Sequence, residues 1–200
     1  MDTDESMELT PSILLSAYCQ GCFPMAEADG TIYWYDPDPR TIMPLDGFHV
    51  SRSLQRRLRK GDFAVRYDTA FAEVMTKCAE PAPGREETWI SDELIEVYCQ
   101  LYELGFAHSI ETWMDDELVG GVYGVSIAGL FAGESMFSRR TDASKIALVH
   151  LVERLNQRGF CLFDVQFTTA HLKRFGAIEI PRAEYQRRLA EALTHDVTFI

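Results

Sequence analysis

Three apolar runs, Phe106–Trp113, Leu118–Ser126 and Leu130–Phe137, follow one another with only the short polar turns at Asp115-Asp116 and Ala128-Gly129 between them. Strands joined by connections that short must pair antiparallel, so the middle of the chain is a meander. A sheet this apolar needs helices to cover it, and the flanks supply them. Upstream, Ser91 caps a helix with Asp92 and Glu93 in its first turn and Leu94, Ile95, Tyr98, Leu101 and Tyr102 on its buried face, ended by Gly105. Downstream, Asp142 begins a helix through Arg158 with Ile146, Val149, Val152 and Leu155 inward, Gly159 closes it, and a strand, Phe160–Phe167, follows. Pro181–Leu193 reads as a last helix before the Val197–Ile200 tail. The order implies an α+β or mixed-sheet domain of acyltransferase type, without internal repeats.

The first part of the chain is punctuated more densely. Thr10-Pro11 opens a helix with Ile13, Leu14, Ala17 and Tyr18 at helical spacing before Gly21. The prolines of residues 23–47 allow at most short edge strands. Ser51 caps a helix through Lys60 whose Leu54 and Leu58 face inward, while Arg52, Arg56, Arg59 and Lys60 form a basic stripe. Asp68–Cys78 is a further short helix, and the Pro/Gly loop Glu80–Glu87 separates an N-terminal half from the rest.

The net charge of −12 argues against a surface that attracts polyanions in general. The charges are segregated, however. Residues 51–67 and 139–188 each carry +5, whereas 1–50, 68–138 and 189–200 carry −8, −12 and −2. A polyanion would bind only where the two basic segments meet, with strong salt sensitivity; the alternative is two solvated helix faces. No apolar run is long enough to span a bilayer, and the acidic N-terminus lacks a secretory signal, so the expected location is the cytoplasm. The odd, scattered cysteines read as reduced core residues, and Cys19-Gln-Gly-Cys22 has no partner pair for a metal or redox site. No P-loop, dinucleotide fingerprint, zincin helix or calcium loop is present, the five histidines have no metal-ligand spacing, and Gly133-Glu-Ser135 lacks the second glycine of a nucleophile elbow.

Two acids stand out in apolar strands. Period-two geometry sets Leu162, Asp164 and Gln166 on one face and Phe163, Val165 and Phe167 on the other. Asp164 is then either a buried, satisfied structural acid or a cleft acid that binds or deprotonates an amine. Glu134 lies in a second such strand beside Gly133.

The runs Ala17-Tyr18-x-x-Gly21-x-Phe23-Pro24-Met25, Trp34-x-x-Pro37-Asp38-Pro39-Arg40, Ser51-Arg52-Ser53, Thr88-Trp89-Ile90, Gly120-Gly121-x-Tyr123-Gly124-Val125, Gly133–Ser138, Ala143-Ser144-Lys145, Asp164-x-Gln166 and Gly176-Ala177-x-x-Ile180-x-Arg182 occur in this order. Together they resemble the leucyl/phenylalanyl-tRNA–protein transferase family. The chain departs from the family pattern by a short leader and by Tyr33 and Tyr35-Asp36 around Trp34, where a Trp-Trp-Ser run is common.

The resemblance implies transfer of Leu or Phe from charged tRNA to the N-terminal amine of proteins beginning with Arg or Lys, marking them for degradation. It implies a GNAT-like catalytic domain over 88–200, with a mixed or antiparallel sheet, preceded by a smaller N-terminal α/β subdomain over 1–80 that carries the basic helix 51–60. Asp164, Gln166 and Glu134 would be catalytic. Trp89, Val122, Phe131, Met136 and Leu151 would form the aminoacyl pocket. Tyr18, Met25 and Tyr98 would meet the terminal adenosine and aminoacyl group. Arg52, Arg56, Arg59 and Lys60 would grip tRNA phosphates without reading sequence. No metal or cofactor is expected, the partners are Leu-tRNA, Phe-tRNA and the acceptor proteins, no membrane is involved, and the protein is a monomer. Two other readings stay open: an acyltransferase using a small thioester donor, which would bind acetyl-CoA, and an adaptor that binds tRNA or degron and transfers nothing.

Overall fold

The computed structural model describes residues 9–82 and 88–200. The meander is the strand trio β5 (Ala107–Met114), β6 (Glu117–Ile127) and β7 (Leu130–Ser138), paired antiparallel in sequence order. Asp115, Asp116 and Ala128 take positive φ at its turns. Four further strands extend it: β3 (Arg40–Ile42), β4 (Ala64–Tyr67), β8 (Leu162–Gln166) and β9 (Ile178–Ile180), giving the order β4-β5-β6-β7-β8-β3-β9. The β7–β8 pair is parallel, its crossover made by α5 (Ala143–Arg158), so the sheet is mixed and the fold is α+β. A separate hairpin, β1 (Phe23–Ala26) with β2 (Ile32–Tyr35), lies outside it.

Alternation along β6 sorts the core into two layers. Tyr123 and Val125 pack with α1 (Pro11–Cys19), α3 (Phe71–Ala79) and α4 (Asp92–Glu103), through Leu14, Tyr18, Val74, Leu94 and Val97. Val122 faces the other way, toward α5 and α2 (Arg52–Lys60). In α2, Leu54 is buried and Leu58 half-buried, while Arg52, Arg56, Arg59 and Lys60 remain exposed. Two apolar anchors thus dock a helix whose other face is left to its charges. The short α6 (Ala170–Lys173) follows β8, and α7 (Arg182–Ala192) covers the far end of the sheet with Tyr185 and Leu189.

Three expectations change. The proline-rich segment contains more than edge strands: β3 lies between β8 and β9. Pro39 ends just before it and Pro44 stands beyond it, so Arg40, Thr41 and Ile42 keep their amides for the ladder. The third helix starts at Phe71 and not Asp68, because Asp68 has φ 56 and its carboxylate accepts the Ser109 amide at 2.7 Å. The cysteines are not core residues as a group: Cys78 is buried, but Cys19 and Cys161 are exposed. Burial raises the thiol pKa of Cys19 and of Cys22, which opposes thiolate chemistry there. Among the described residues no helix is long and apolar enough to cross a membrane.

The β6–β7 register slips once. Tyr123 pairs with Ser135 and Gly124 with Gly133, leaving Glu134 as the extra residue of a bulge. The strands approach so closely there that a Cβ on Gly124 would lie 2.2 Å from the Ala132 carbonyl oxygen and 2.5 Å from the Phe131 ring. Gly124→Ala is expected to cost about 1–3 kcal/mol in urea unfolding. An unchanged midpoint would mean that the bulge tolerates a wider spacing.

Candidate functional site

Strands β7 and β8 pair at Leu130–Leu162, Phe131–Phe163 and Ala132–Asp164, and beyond that point they part. A cavity of about 190 Å³ opens in the cleft. Its walls come from Glu134 and Met136 of β7, Val122 of β6, Leu148 of α5, and Phe163, Val165 and Phe167 along β8 and its end, with Leu172 of α6 as a further wall. The site lies toward the carboxyl ends of the two parallel strands, where diverging strands commonly leave a crevice.

Asp164 does not enter this cavity. Its side chain is 0% exposed, and Arg40, also 0% exposed, grips it from β3: Nε donates to Oδ1 at 3.0 Å and Nη2 to Oδ2 at 2.6 Å. The Tyr185 hydroxyl donates to Oδ2 at 2.8 Å and the Gln166 amide to Oδ1 at 3.0 Å. The guanidinium is sandwiched between the rings of Phe23 and Tyr185, 4.7 and 4.4 Å from their centroids, and donates to the Gly21 carbonyl at 2.8 Å. Burial opposes its charge, but the hydrogen bond and charge of Asp164 outweigh that and hold its pKa above the ordinary value. Burial and then the Asp164 charge likewise raise Tyr185. Four donors, two of them from the buried cation, leave Asp164 satisfied, which is the structural alternative of the sequence reading.

The expected common face of Asp164 and Gln166 does not form. Gln166 has φ 54, and the Phe167 amide donates to the Val165 carbonyl at 2.7 Å across it, closing a tight turn. Strict alternation holds only as far as Val165, and Gln166 lines the cavity together with Phe163 and Val165. Its Nε2 donates to Glu134 Oε1 at 3.0 Å. Tyr98 reaches Glu134 Oε2 at 3.4 Å and shares a short hydroxyl–hydroxyl hydrogen bond with Tyr18. A left-handed non-glycine residue costs backbone energy and persists only where its surroundings enforce it; here the enforcing group is Asp164.

Glu134 is half-buried, yet burial of its carboxyl, with the Asp164 charge behind it, raises its pKa to about 8 against the opposing pull of Tyr18, Tyr98 and Arg40. The site therefore holds a neutral or readily charged carboxyl beside a fixed amide.

The remaining expected residues divide by position. Val122 and Met136 line the cavity. Phe131 and Leu151 are fully buried, Phe131 behind Phe163 with ring centroids 5.9 Å apart. Trp89 packs half-buried against the cluster that contains Tyr18, Met25 and Tyr98, and its carbonyl accepts the Ala26 amide at 3.0 Å. In the basic helix, Lys60 contacts Asp62 at 2.9 Å, whereas Arg57, outside the stripe, pairs with Asp62 and stacks on Phe63 at 4.5 Å. Among the described residues no group of three His, Cys, Asp or Glu side chains is placed to hold a metal. Arg40 is the residue that role-by-role reading of the sequence missed. It had one signal, being the only Lys or Arg in the first 50 residues amid nine acids.

The cavity is an apolar slot with one amide and one carboxyl, Gln166 and Glu134, in its lining. Residues 42–190 match the family described as leucyl/phenylalanyl-tRNA protein transferase, and residues 7–38 match its N-terminal domain. A leucyl/phenylalanyl-tRNA–protein transferase of Herpetosiphon aurantiacus is 60% identical over 192 residues, 96% of this chain and 98% of that protein. One from Paramagnetospirillum magneticum is 55% identical over 193 residues, 96% and 92% of the two chains. The chain belongs to the leucyl/phenylalanyl-tRNA–protein transferase family. Among solved structures, that of L-PGS from Bacillus licheniformis aligns with a TM-score of 0.46 and 13% identity over 80% of this chain and 51% of that one, a likeness too slight to carry argument.

Removing the cation should expose the cost of the buried acid. Arg40→Met is expected to destabilise the fold by about 3–5 kcal/mol in urea, because Asp164 would remain buried and uncompensated; a change within about 0.5 kcal/mol would show that Tyr185 and the Gln166 amide suffice. A second expectation concerns Glu134. A carboxyl whose folded pKa lies near 8 holds its proton more tightly folded than unfolded, so its contribution to stability is complete below the unfolded value and is lost as pH rises toward 8. Glu134→Gln stays neutral, and its melting temperature should rise relative to the parent between about pH 5 and pH 9. A pH-independent difference would mean that Glu134 is ionised throughout.

Proposed function

We propose that the protein transfers Leu or Phe from its tRNA ester to the N-terminal amine of proteins that begin with Arg or Lys, committing them to degradation. The observation that carries this reading is the Gln166–Glu134 hydrogen bond in the lining of the apolar cavity between the parting strands. Family membership supports the charged tRNA as donor and a protein as acceptor.

Ester aminolysis joins the neutral amine nitrogen to the aminoacyl carbonyl carbon, passes through a tetrahedral oxyanion and breaks the bond to the ribose oxygen, which receives the proton that the nitrogen loses. The donor side chain occupies the cavity lined by Val122, Met136, Leu148 and Phe163, while Phe131 and Leu151 stiffen the wall from behind and Trp89 buttresses the neighbouring cluster. Such a cavity rejects polar side chains but separates apolar ones by only about 1–3 kcal/mol per methylene. With its Nε2 engaged by Glu134, Gln166 keeps Oε1 to accept from the incoming amine. Glu134, when ionised, attracts the cationic acceptor terminus, and that cation in turn favours its ionisation. Asp164 acts through Gln166 as a positioning residue, since its own oxygens are occupied.

Tyr18, Met25 and Tyr98 border the donor's terminal adenosine and aminoacyl group, and Arg52, Arg56, Arg59 and Lys60 meet the acceptor-stem phosphates. We assign the RNA grip to residues 1–80 and transfer to 88–200, a region we take to be GNAT-like on its mixed sheet and α5 crossover. The chemistry needs no cofactor and uses charged tRNA in the cytoplasm, where the protein works as a monomer.

Purified protein incubated with radiolabelled Leu-tRNA should place acid-stable label on a peptide beginning with Arg and not on one beginning with Asp. Gln166→Ala should lower the rate by about a hundredfold or more, as loss of a positioned polar group at a reacting centre does. Binding of charged tRNA without transfer would replace this reading with the adaptor, and binding of acetyl-CoA alone with the thioester-dependent enzyme.

A further inference from the structure

A second cavity, of about 290 Å³, lies across α6 from the apolar one. Thr169 and Leu172 face the first, His171 and Arg174 the second. The first turn of α2 borders it at Ser51 and Ser53, and the first turn of α5 at Asp142 and Lys145. Lys145 stands three residues, roughly 4.5 Å along the helix axis, from Leu148 of the apolar cavity. Two runs singled out in the sequence, Ser51-Arg52-Ser53 and Ala143-Ser144-Lys145, thus meet at one place although 90 residues apart.

The charges there are set against local preference. The N-terminal turn of a helix favours anions, yet Lys145 occupies that turn in α5, and Arg174 stands opposite. Asp142 answers only part of this charge, accepting from Lys145 Nζ at 2.6 Å. Arg174 has no side-chain ion pair among the described residues, and Nε2 of His171 is shut off from solvent without a partner. Cations gathered where two helix N-termini already present positive ends form a place for an anion, and this in a chain whose net charge is −12.

We infer that this cavity binds a backbone phosphate of the donor's single-stranded 3′ end, held by Lys145 and Arg174 between the aminoacyl cavity and the basic face of α2. The assignment rests on the transferase reading and adds to it a fixed point on the RNA. Phosphates gripped along α2 position the stem, but a phosphate held beside α6 sets how deeply the terminal nucleotide reaches toward Gln166. His171 lines the same cavity beside both cations. Its pKa is lowered by burial and by the Lys145 and Arg174 charges, with Asp142 and the exposed His49 as the other titratable groups at the cavity, so a bound anion would return it toward the protonated form.

The test uses two amide-linked donor analogues that cannot react: 3′-leucylamido-3′-deoxyadenosine, which has no phosphate, and the same nucleoside extended by a 5′-linked cytidine, which has one phosphodiester. In calorimetric titrations at several salt concentrations, the extended analogue should bind the parent protein about tenfold or more tightly than the nucleoside. Its salt slope should be steeper by about 0.7, the value for one single-stranded phosphate. Arg174→Gln and Lys145→Gln should remove both the gain and the extra slope while leaving nucleoside affinity unchanged. An equal affinity of the parent for the two analogues, or variants that retain the gain or weaken both analogues alike, would overturn the assignment. No binding of the nucleoside itself would overturn the transferase reading, and the phosphate site with it.

Discussion

The buried pair of Arg40 and Asp164 is the contact on which the rest of the site depends. It joins β3 to β8 in the middle of the far half of the sheet, and through Tyr185 it also ties α7 to the same carboxylate. A charge pair with no exposure is costly to assemble and more costly to break, because either partner alone would be a buried, unpaired ion. Here the remaining hydrogen-bonding capacity is filled by Tyr185, the Gln166 amide and the Gly21 carbonyl, so the pair is satisfied in full. One outcome is a sheet held across a three-residue strand that lies between prolines. The other is local: the carboxylate that accepts the Gln166 amide keeps that residue in a left-handed conformation, which turns it away from Asp164's own side of the strand.

Around that anchor, the cavity arises from two departures from regular pairing. The parallel ladder of β7 and β8 ends after Ala132 and Asp164, and the antiparallel ladder of β6 and β7 inserts one extra residue at Glu134. Neither departure alone would build the site. Parting strands give a crevice with apolar walls, and the bulge sends a carboxyl into its lining, where Gln166 meets it at 3.0 Å. The glycines of β6 belong to the same device: Gly124 is opposite Gly133 at the slip, and no side chain fits between the backbone there. A mechanism that made Asp164 the proton acceptor would have to break this arrangement, since both its oxygens are engaged and neither borders the cavity.

What was legible in the sequence follows from the range of the forces involved. Caps and stops act within one turn, so Thr10, Ser51, Ser91 and Gly159 marked helix ends that the structure retains. The meander was equally legible, because short turns permit only antiparallel neighbours. The strand role of Arg40–Ile42 was not, since its pairing partners lie more than 120 residues away and its flanking prolines carry the opposite local signal. The same distance hid the partner of Asp164. Period two set Asp164 and Gln166 on one face, and no local rule announces that the second of them will be held left-handed by the first. Val122 and Met136 reach the cavity, whereas Phe131 and Leu151, apolar and close in sequence to true lining residues, turn into the core. Hydrophobicity identifies burial; it does not tell a wall from the packing behind it.

Charge completes the account, because a chain of net −12 must recruit a polyanion locally. The two positive segments of the sequence converge through the first turns of α2 and α5, and the acidic segments include the meander and its neighbouring helices. At physiological ionic strength the field of each patch fades over about 8 Å, so a ligand that approaches the acidic surface gains nothing from a basic helix on the other side. The polyanion path proposed above, along α2 with its end directed at α6, follows the two positive segments. On the proposed reading, the basic face of α2 and the cations beside α6 lead toward the apolar cavity, and the acidic remainder repels other polyanions.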